Sequence, residues 1–200
     1  MDFEWDEAKE QRTREERGFD FSFASQIFGG FVLERADKRR NYGEHRIVAV
    51  GKVRDTFVTL VYTIHRPGRC PPHHRGMAVQ SQGTQAMAVR RMSFDQVMAR
   101  KGRVDRAKIE AMTEEDIRRY QIEDGQDPDA PLDGFAPVVL AQAVRRKLAM
   151  TQEEFARALR IPVATLRNWE QGRVRPDPAA RSLLLAVYRS PKAVLAALAA

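Results

Sequence analysis

The stretch TQEEFARALRIPVATLRNWEQGR, which runs from Thr151 to Arg173, constrains the fold of this chain more than any other part of it. Thr151 and Glu154 have the spacing of a capping box, in which each side chain satisfies a backbone N–H group that the first helical turn leaves unbonded. Pro162 cannot continue the helix that follows, but its fixed φ suits the first turn of a new one. Gly172 is typical of a helix C-terminus. The stretch therefore predicts two short helices that meet at a tight turn.

The second helix presents one apolar face and one face that suits the major groove of DNA. Leu166 and Trp169 fall on the apolar face at the helical period. In the major groove Arg pairs with guanine and Asn pairs with adenine, while small side chains allow a close approach. The residues predicted to read bases are Val163, Ala164, Arg167 and Asn168, and those predicted to hold phosphates are Gln152, Thr165, Arg173 and Arg175. Periodicity alone leaves a second interpretation open, an ordinary pair of amphipathic helices in a bundle.

The residues QEEFARAL, RIP, ATLRNWEQGR and RP, in this order, closely resemble the XRE-type helix-turn-helix family. The resemblance implies an all-α DNA-binding domain of about five helices over roughly Ala136 to Tyr188, which binds a palindromic operator as a homodimer. One residue departs from the family pattern, because Arg160 stands where the turn glycine is usual. This departure predicts strain or a different geometry in the turn.

The first 66 residues predict two helices followed by three strands. Asp6 is the predicted N-cap of the first helix, Gly18 is its C-terminal glycine, and Ser22 is the predicted start of the second helix. Alternating apolar residues predict the strands, and the residues at 53–55 fit a hairpin turn between the last two. The predicted strands are Phe31–Arg35, His45–Lys52 and Thr56–His65.

Four motifs in these residues, FEWDEAK, ERGFDF, NYGEHRIVAVG and VTLVYTIHR, resemble the BrnT toxin family. The resemblance implies a small ribonuclease domain in residues 1–66, with a RelE-like fold of two helices on an antiparallel sheet. Cationic and phenolic groups can hold a scissile phosphate and stabilise the charge that develops on it. By resemblance, the candidates for this chemistry are Lys9, Arg39, Arg46, Tyr62 and Arg66. For each residue taken alone, a solvated surface group is the alternative.

Residues 67–91 show no periodic apolar pattern, and we predict an irregular linker there. BrnT proteins usually continue at this point with a last strand and a basic helix. Reading the same codons one nucleotide later would permit such a strand and helix, so our hypothesis is that this range is an out-of-frame remnant. Cys70, His73 and His74 match no familiar metal-ligand spacing and lie among prolines, so we expect neither a metal nor a cofactor.

Residues 92–135 are acidic, with eleven Asp and Glu against seven Lys and Arg, whereas residues 136–200 have four against eleven. Thr113 and Asp116 predict a helix N-terminus in the acidic segment. The order MTEED, DPDAPL and then an XRE-type domain resembles the antitoxins encoded beside BrnT-type toxins, in which the segment before the DNA-binding domain wraps the toxin. Acidic side chains can cover the cationic surface that a ribonuclease offers to RNA. A solvated spacer is the alternative.

The whole chain is thus predicted to be α+β, with four segments at 1–66, 67–91, 92–135 and 136–200. The net charge of +7 favours an anionic partner. The single Cys70 suits a reducing cytoplasm, and no apolar run approaches the length of a membrane span. The predicted function is a type II toxin–antitoxin polypeptide that represses its own promoter and carries a neutralised or defective ribonuclease. Expected partners are operator DNA, a BrnT-type toxin in cis or in trans, RNA, and a second copy of the chain. Two alternatives remain open: an active ribonuclease, or a plain XRE-family repressor whose N-terminal domain dimerises or senses a ligand.

Overall fold

A computed structural model of the protein describes residues 2–37, 45–64, 77–79, 89–131 and 133–199. These ranges contain seven strands: β1 (Asp2–Asp6), β2 (Phe31–Asp37), β3 (Arg46–Val53), β4 (Thr56–Ile64), β5 (Met77–Val79), β6 (Val89–Ser93) and β7 (Ala136–Val139). The helices are α1 (Glu7–Arg17), α2 (Phe21–Ala24), α3 (Phe94–Ala99), α4 (Arg106–Glu110), α5 (Glu114–Glu123), α6 (Ala141–Lys147), α7 (Gln152–Ala158), α8 (Val163–Glu170), α9 (Pro178–Arg189) and α10 (Pro191–Ala199), and Ser25–Gly29 forms a 3₁₀ helix.

The strands form one sheet in the order β6-β1-β5-β4-β3-β2-β7. Every neighbouring pair is antiparallel except β1 and β5, which are parallel. The predicted hairpin is present, since β3 and β4 pair along their length and turn at Arg54 and Asp55. The N-terminal half therefore joins helices to a largely antiparallel sheet, while the C-terminal part is helical. The predicted α+β fold class is confirmed.

Local chemistry explains both N-terminal helices. The Asp6 side chain accepts a hydrogen bond from the backbone N–H of Lys9 at 2.7 Å, and Gly18 ends α1 in the left-handed conformation at φ 77°. Both caps were predicted. The start of α2 was predicted at Ser22, but its N-cap is Asp20, whose carboxylate accepts from the backbone N–H of Phe23 at 2.7 Å. The Ser22 hydroxyl donates to the same carboxylate at 3.0 Å instead of capping the helix.

The main core lies on one face of the sheet and contains a row of aromatic rings. Phe3 stacks on Phe28 and on Phe94, with ring centroids 5.7 and 6.3 Å apart, and Phe28 meets Tyr62 edge-on at 5.3 Å. Phe94 and Val97 come from α3, within the segment predicted to be acidic and wrapping, and both are buried. The segment after residue 92 therefore completes the core of the N-terminal domain.

Residues 67–91 were predicted to be an irregular linker, yet they contribute β5 and the first part of β6. β5 fills the gap between β1 and β4, and β6 covers the other edge of β1. Strand edges carry unpaired backbone N–H and C=O groups, which favour such additions even where the local sequence has no strand pattern. Residues 65–76 and 80–88, with Cys70, His73 and His74, lie outside the described residues, and the out-of-frame hypothesis remains a prediction.

The C-terminal helices begin and end much as their sequence predicts. Thr151 and Glu154 form the predicted capping box, in which Thr151 N–H donates to Glu154 Oε2 at 2.8 Å and Glu154 N–H donates to Thr151 Oγ1 at 3.2 Å. Arg160 adopts the left-handed conformation at φ 55°, where glycine would be unstrained. Gly172 ends α8 at φ 70°. The helices of this part of the chain run from Ala141 to Ala199.

The first four residues assigned to the C-terminal domain are a strand. β7 pairs with β2 in the antiparallel sense, and α6 starts only two residues after β7 ends. The short connection fixes the helical domain against that edge of the sheet. Within the described ranges no single helix has the length and apolarity needed to cross a bilayer; only α9 and α10 together, which bend by 120°, reach that threshold.

Candidate functional site

The position of α8, the predicted DNA-reading helix, is set by a buried ion pair. Glu170, on the last turn of α8, accepts from Arg145 Nε at 2.6 Å through Oε1 and from Arg145 Nη2 at 3.0 Å through Oε2. Arg145 Nη1 also donates to the carbonyl oxygen of Met150 at 3.0 Å. Because the Glu170 side chain is only 4% exposed, this bidentate pair is shielded from water, and its hydrogen bond raises the pKa of the Arg145 guanidinium. The pair joins α6 to α8 in one orientation.

Gln152 belongs to the same network. Its amide Nε2 donates to Glu170 Oε2 at 2.7 Å, and its Oε1 accepts from Arg167 Nε at 3.4 Å. The sequence predicted Gln152 as a phosphate contact, whereas the structure gives its amide an internal role between α7 and α8. Arg167 also donates from Nη2 to Glu153 Oε1 at 2.7 Å.

The other predicted DNA-binding residues differ in their solvent exposure. Ala164, Arg167 and Arg173 are exposed. Val163, Thr165 and Asn168 are half-buried, and Val163 packs against the core formed by Leu166 and its neighbours. The alternation follows from the helical period, which turns Leu166 and Glu170 inward. The described residues thus leave a narrow surface on α8 and the loop after it that could enter a groove.

Arg175, predicted to hold a phosphate, instead bonds to the N-terminal domain. Its Nη2 donates to Glu34 Oε2 at 2.6 Å, and Glu34 Oε1 accepts from the Tyr62 hydroxyl at 2.6 Å. Burial, together with the Glu34 carboxylate, raises the pKa of Tyr62 well above its ordinary value. The phenol is therefore a proton donor to Glu34, and the Tyr62 side chain is fully buried.

A cavity of about 50 Å³ lies where these three side chains meet. Its walls come from both domains: Glu34, Tyr62 and Val138 from the sheet side, and Trp169 and Arg175 from α8 and the loop that follows. The post-helix loop of the C-terminal domain therefore closes over the predicted phenol of the ribonuclease site.

Two of the predicted RNA-binding residues, Lys9 and Arg46, belong to a second group of cations that also includes Arg17. Burial lowers the pKa of Lys9, the Asp124 carboxylate opposes this shift, and the charges of Arg17 and Arg46 add to it. Arg17 is paired with the acidic segment, since Nη1 and Nη2 donate to Asp124 at 2.5 and 3.2 Å. The sequence did not predict a role for Arg17.

The end of α5 packs on Arg17, one member of the cationic group that we call the Lys9 cluster (Lys9, Arg17 and Arg46). The Tyr120 ring lies under the Arg17 guanidinium at 4.5 Å, and its hydroxyl donates to the backbone carbonyl of Glu16 at 3.1 Å. The acidic segment thus contacts the Lys9 cluster through a ring and through charge. A freely solvated spacer would make neither contact.

The predicted ribonuclease residues do not converge on one point. Arg46 pairs across the sheet with Thr63, and Ile47 pairs with Tyr62. Since successive side chains of a strand point to opposite faces, Arg46 and Tyr62 lie on opposite faces of the sheet. Arg39 and Arg66 lie outside the described residues.

The carboxylates of Glu34 and Glu170 were not predicted as part of a site, although the position of each could have indicated it. Glu34 falls on the buried face of β2 two residues after Val32, and Glu170 falls on the apolar face of α8 four residues after Leu166. A carboxylate at an inward position requires a cationic or hydroxyl partner. The strand and helix periods could therefore have identified both carboxylates as buried and paired. They could not have identified the partners, which are distant in sequence. The described residues contain no group of three side chains that could hold a metal ion.

Comparisons with protein families bear on both halves of the chain. Residues 5–70 match the family described as ribonuclease toxin, BrnT, of type II toxin-antitoxin system. Residues 142–193 match a helix-turn-helix family. These matches confirm the two resemblances found in the motifs. No curated protein and no solved structure matches the chain.

Proposed function

The chain is a fusion of a BrnT-type ribonuclease toxin domain with an XRE-type helix-turn-helix DNA-binding domain, and we propose that it is the autorepressor of a type II toxin–antitoxin locus. In this proposal the helix-turn-helix domain binds an operator in its own promoter as a homodimer in the cytoplasm. Ala164, Arg167, Asn168 and Val163 read bases, while Thr165, Arg173 and Arg175 position the domain on phosphates. The ribonuclease domain is held inactive in cis by the segment that follows it.

A contrast between the two nucleic-acid surfaces carries this proposal. The side chain of Arg167 on α8 is 51% exposed, and Arg173 beyond it is exposed too. By comparison, the Arg17 side chain is only 17% exposed and is engaged by Asp124, and Tyr62 is sealed beneath Arg175. A duplex can reach the exposed side chains of Arg167 and Arg173 directly, whereas RNA cannot reach Arg17 or Tyr62 without displacing parts of the same chain.

The proposed function is tested by binding of the full-length protein to the DNA upstream of its own coding sequence. Arg167→Ala should weaken operator binding by about tenfold or more and weaken random-DNA binding much less, because base contacts and not phosphate contacts discriminate sequences. Arg12→Ala is the matched control, since it removes an exposed cation from α1, far from α8 in sequence. Equal losses on both DNAs would make Arg167 a phosphate contact only. Absence of any preference for the upstream DNA would remove the autorepressor proposal.

An active ribonuclease is the second candidate, and the Lys9 cluster favours it. Its cations are present and their charges act on one another, although the acidic segment pairs with Arg17 and the Asp124 charge acts on Lys9. We expect the purified full-length protein to leave RNA uncut, and Tyr120→Ala combined with Asp124→Asn to expose the cluster and permit cleavage. Lys9→Ala added to that double variant should abolish the cleavage. Cleavage by the unaltered protein that Lys9→Ala removes would establish the enzyme and refute neutralisation in cis.

A further inference from the structure

Two side chains at the start of α7 hold the guanidinium of Arg167. Glu153 Oε1 accepts from Nη2 at 2.7 Å, and Gln152 Oε1 accepts from Nε at 3.4 Å. Both contacts lie along the Nε–Nη2 edge of the guanidinium. Among the described residues these are the contacts that the structure gives to the Arg167 side chain, so its Nη1 group and the second Nη2 hydrogen face away from α7.

The support beneath Arg167 is itself fixed. The amide of Gln152 is tied to Glu170 at 2.7 Å, and Glu170 is the buried partner of Arg145. The backbone of Glu153 is held by the capping box at the start of α7, formed by Thr151 and Glu154. The support therefore rests on packed helices and not on a mobile loop.

This arrangement suits recognition of guanine. Guanine presents O6 and N7 in the major groove, and a guanidinium binds both through two parallel N–H groups. An Arg side chain that is already held in one rotamer loses less conformational freedom when it binds. We propose that Glu153 is a specificity-determining residue, which holds Arg167 so that its free edge reads one guanine of the operator. The inference rests on the proposed function, in which α8 reads DNA.

The charge of Glu153 adds a second effect. If Arg167 swung away to a phosphate, the Glu153 carboxylate would be left unpaired close to the polyanionic backbone of DNA. Like charges at short range disfavour that mode of binding. Glu153 therefore supports the base contact and opposes the nonspecific one.

The test uses the full-length protein and duplexes that it selects from a randomised DNA pool. Each base pair of the selected site is then replaced in turn, and the dissociation constant is measured at one fixed salt concentration. At one guanine, replacement should weaken binding of the unaltered protein by on the order of tenfold to a hundredfold. Arg167→Ala should abolish this preference. Glu153→Gln should reduce it to about threefold or less while leaving the preferences at other positions unchanged.

Three variants make the result specific. Glu153→Ala must reproduce the loss seen with Glu153→Gln. Glu115→Gln removes an exposed carboxylate from α5 and should leave every preference unchanged. Arg167→Ala combined with Glu153→Gln should discriminate no less than Arg167→Ala alone, because Glu153 acts through Arg167.

The inference is overturned if Glu153→Gln leaves the guanine preference intact, lowers all preferences equally, or strengthens the guanine preference, since the last result would mean that Glu153 masks Arg167. A selected site without a guanine that depends on Arg167 would overturn the inference and leave the proposed function standing. If the unaltered protein selects no sequence at all, the proposed function itself fails.

Discussion

The ion pair between Arg175 and Glu34 predicts that two substitutions change DNA binding in opposite directions. Arg175 lies in the loop after α8, where we propose a phosphate contact, but its Nη2 donates to Glu34 of β2 at 2.6 Å. We expect a phosphate to compete with Glu34 for this guanidinium, because two anions repel each other at such short range. To bind a phosphate, Arg175 must leave Glu34, and the free energy of the ion pair is then subtracted from the contact with DNA.

The exposure of the two side chains sets the size of the effect. The Glu34 side chain is 7% exposed and that of Arg175 is 40% exposed. Breaking a fully buried pair by removing one partner costs about 3–5 kcal/mol, whereas an exposed pair contributes roughly 0–1 kcal/mol. A pair that is half solvated lies between these limits, at about 1–2 kcal/mol. Glu34→Gln should cost less stability than Arg175→Ala, because the new amide can still accept from Tyr62 while Arg175 reaches water.

The assay is a DNA-binding titration of full-length variants at several salt concentrations. Glu34→Gln should tighten binding about fivefold or more, since about 1 kcal/mol no longer opposes release of Arg175. Arg175→Ala should weaken binding and lower the slope of log K against log salt by about 0.9, the value for one lost phosphate contact. Glu16→Gln, which removes an exposed carboxylate from α1, is the charge-matched control. Weaker or unchanged binding by Glu34→Gln would refute the competition, and an unchanged salt slope in Arg175→Ala would refute the phosphate contact.

Three further predictions concern stability. Arg160→Gly should raise the free energy of unfolding by about 0.5–1 kcal/mol in urea titrations, because a φ of 55° favours glycine. Arg157→Gly, in the helical part of α7, should lower that free energy by about 1 kcal/mol. If both variants change the free energy of unfolding in the same direction, the strain at Arg160 is refuted. Glu170→Gln should lower the free energy of unfolding by about 3–5 kcal/mol, because it leaves Arg145 buried without its anionic partner. Replacing both Glu170 and Arg145 by Leu should lower it by less than this single change. A larger loss in the double variant would show that the ion pair itself provides the stability. Because the pKa of Lys9 is lowered in the folded protein, the unfolded chain binds more protons between that pKa and the ordinary value of 10.5. The free energy of unfolding should therefore rise with pH in this window, and Lys9→Met should lack the rise. If the unaltered protein and Lys9→Met show parallel profiles of unfolding free energy against pH, the burial of Lys9 is excluded.

Much of the local structure was readable from the chain. The predicted caps at Asp6 and Thr151 are present, because each depends on a side chain and a backbone N–H three residues away. The strained turn at Arg160 was predicted because the sequence has an arginine where the XRE-type pattern has a glycine. The start of α2 was misplaced at Ser22, since Asp20 lies two residues earlier and competes for the same role.

The candidate sites were only partly readable. The exposed face of α8 follows from the helical period, so Ala164 and Arg167 were found. The internal role of Gln152 and the capture of Arg175 by Glu34 were missed. Gln152 meets Glu170, 18 positions away, and Arg175 meets Glu34, 141 positions away. No local pattern records which distant carboxylate an Arg or an amide will meet.

By itself the sequence determined the resemblance of two segments to known families, the positions of β2, β3 and β4 and of helices such as α1, α7 and α8, and the helix faces that turn inward, because caps and periods act over a few residues. Only the tertiary structure decided that β5, β6 and β7 join the sheet, that the acidic segment rests on Arg17, and that Arg175 closes over Tyr62. These features depend on unpaired strand edges and buried charges that find their partners after the chain has folded back on itself.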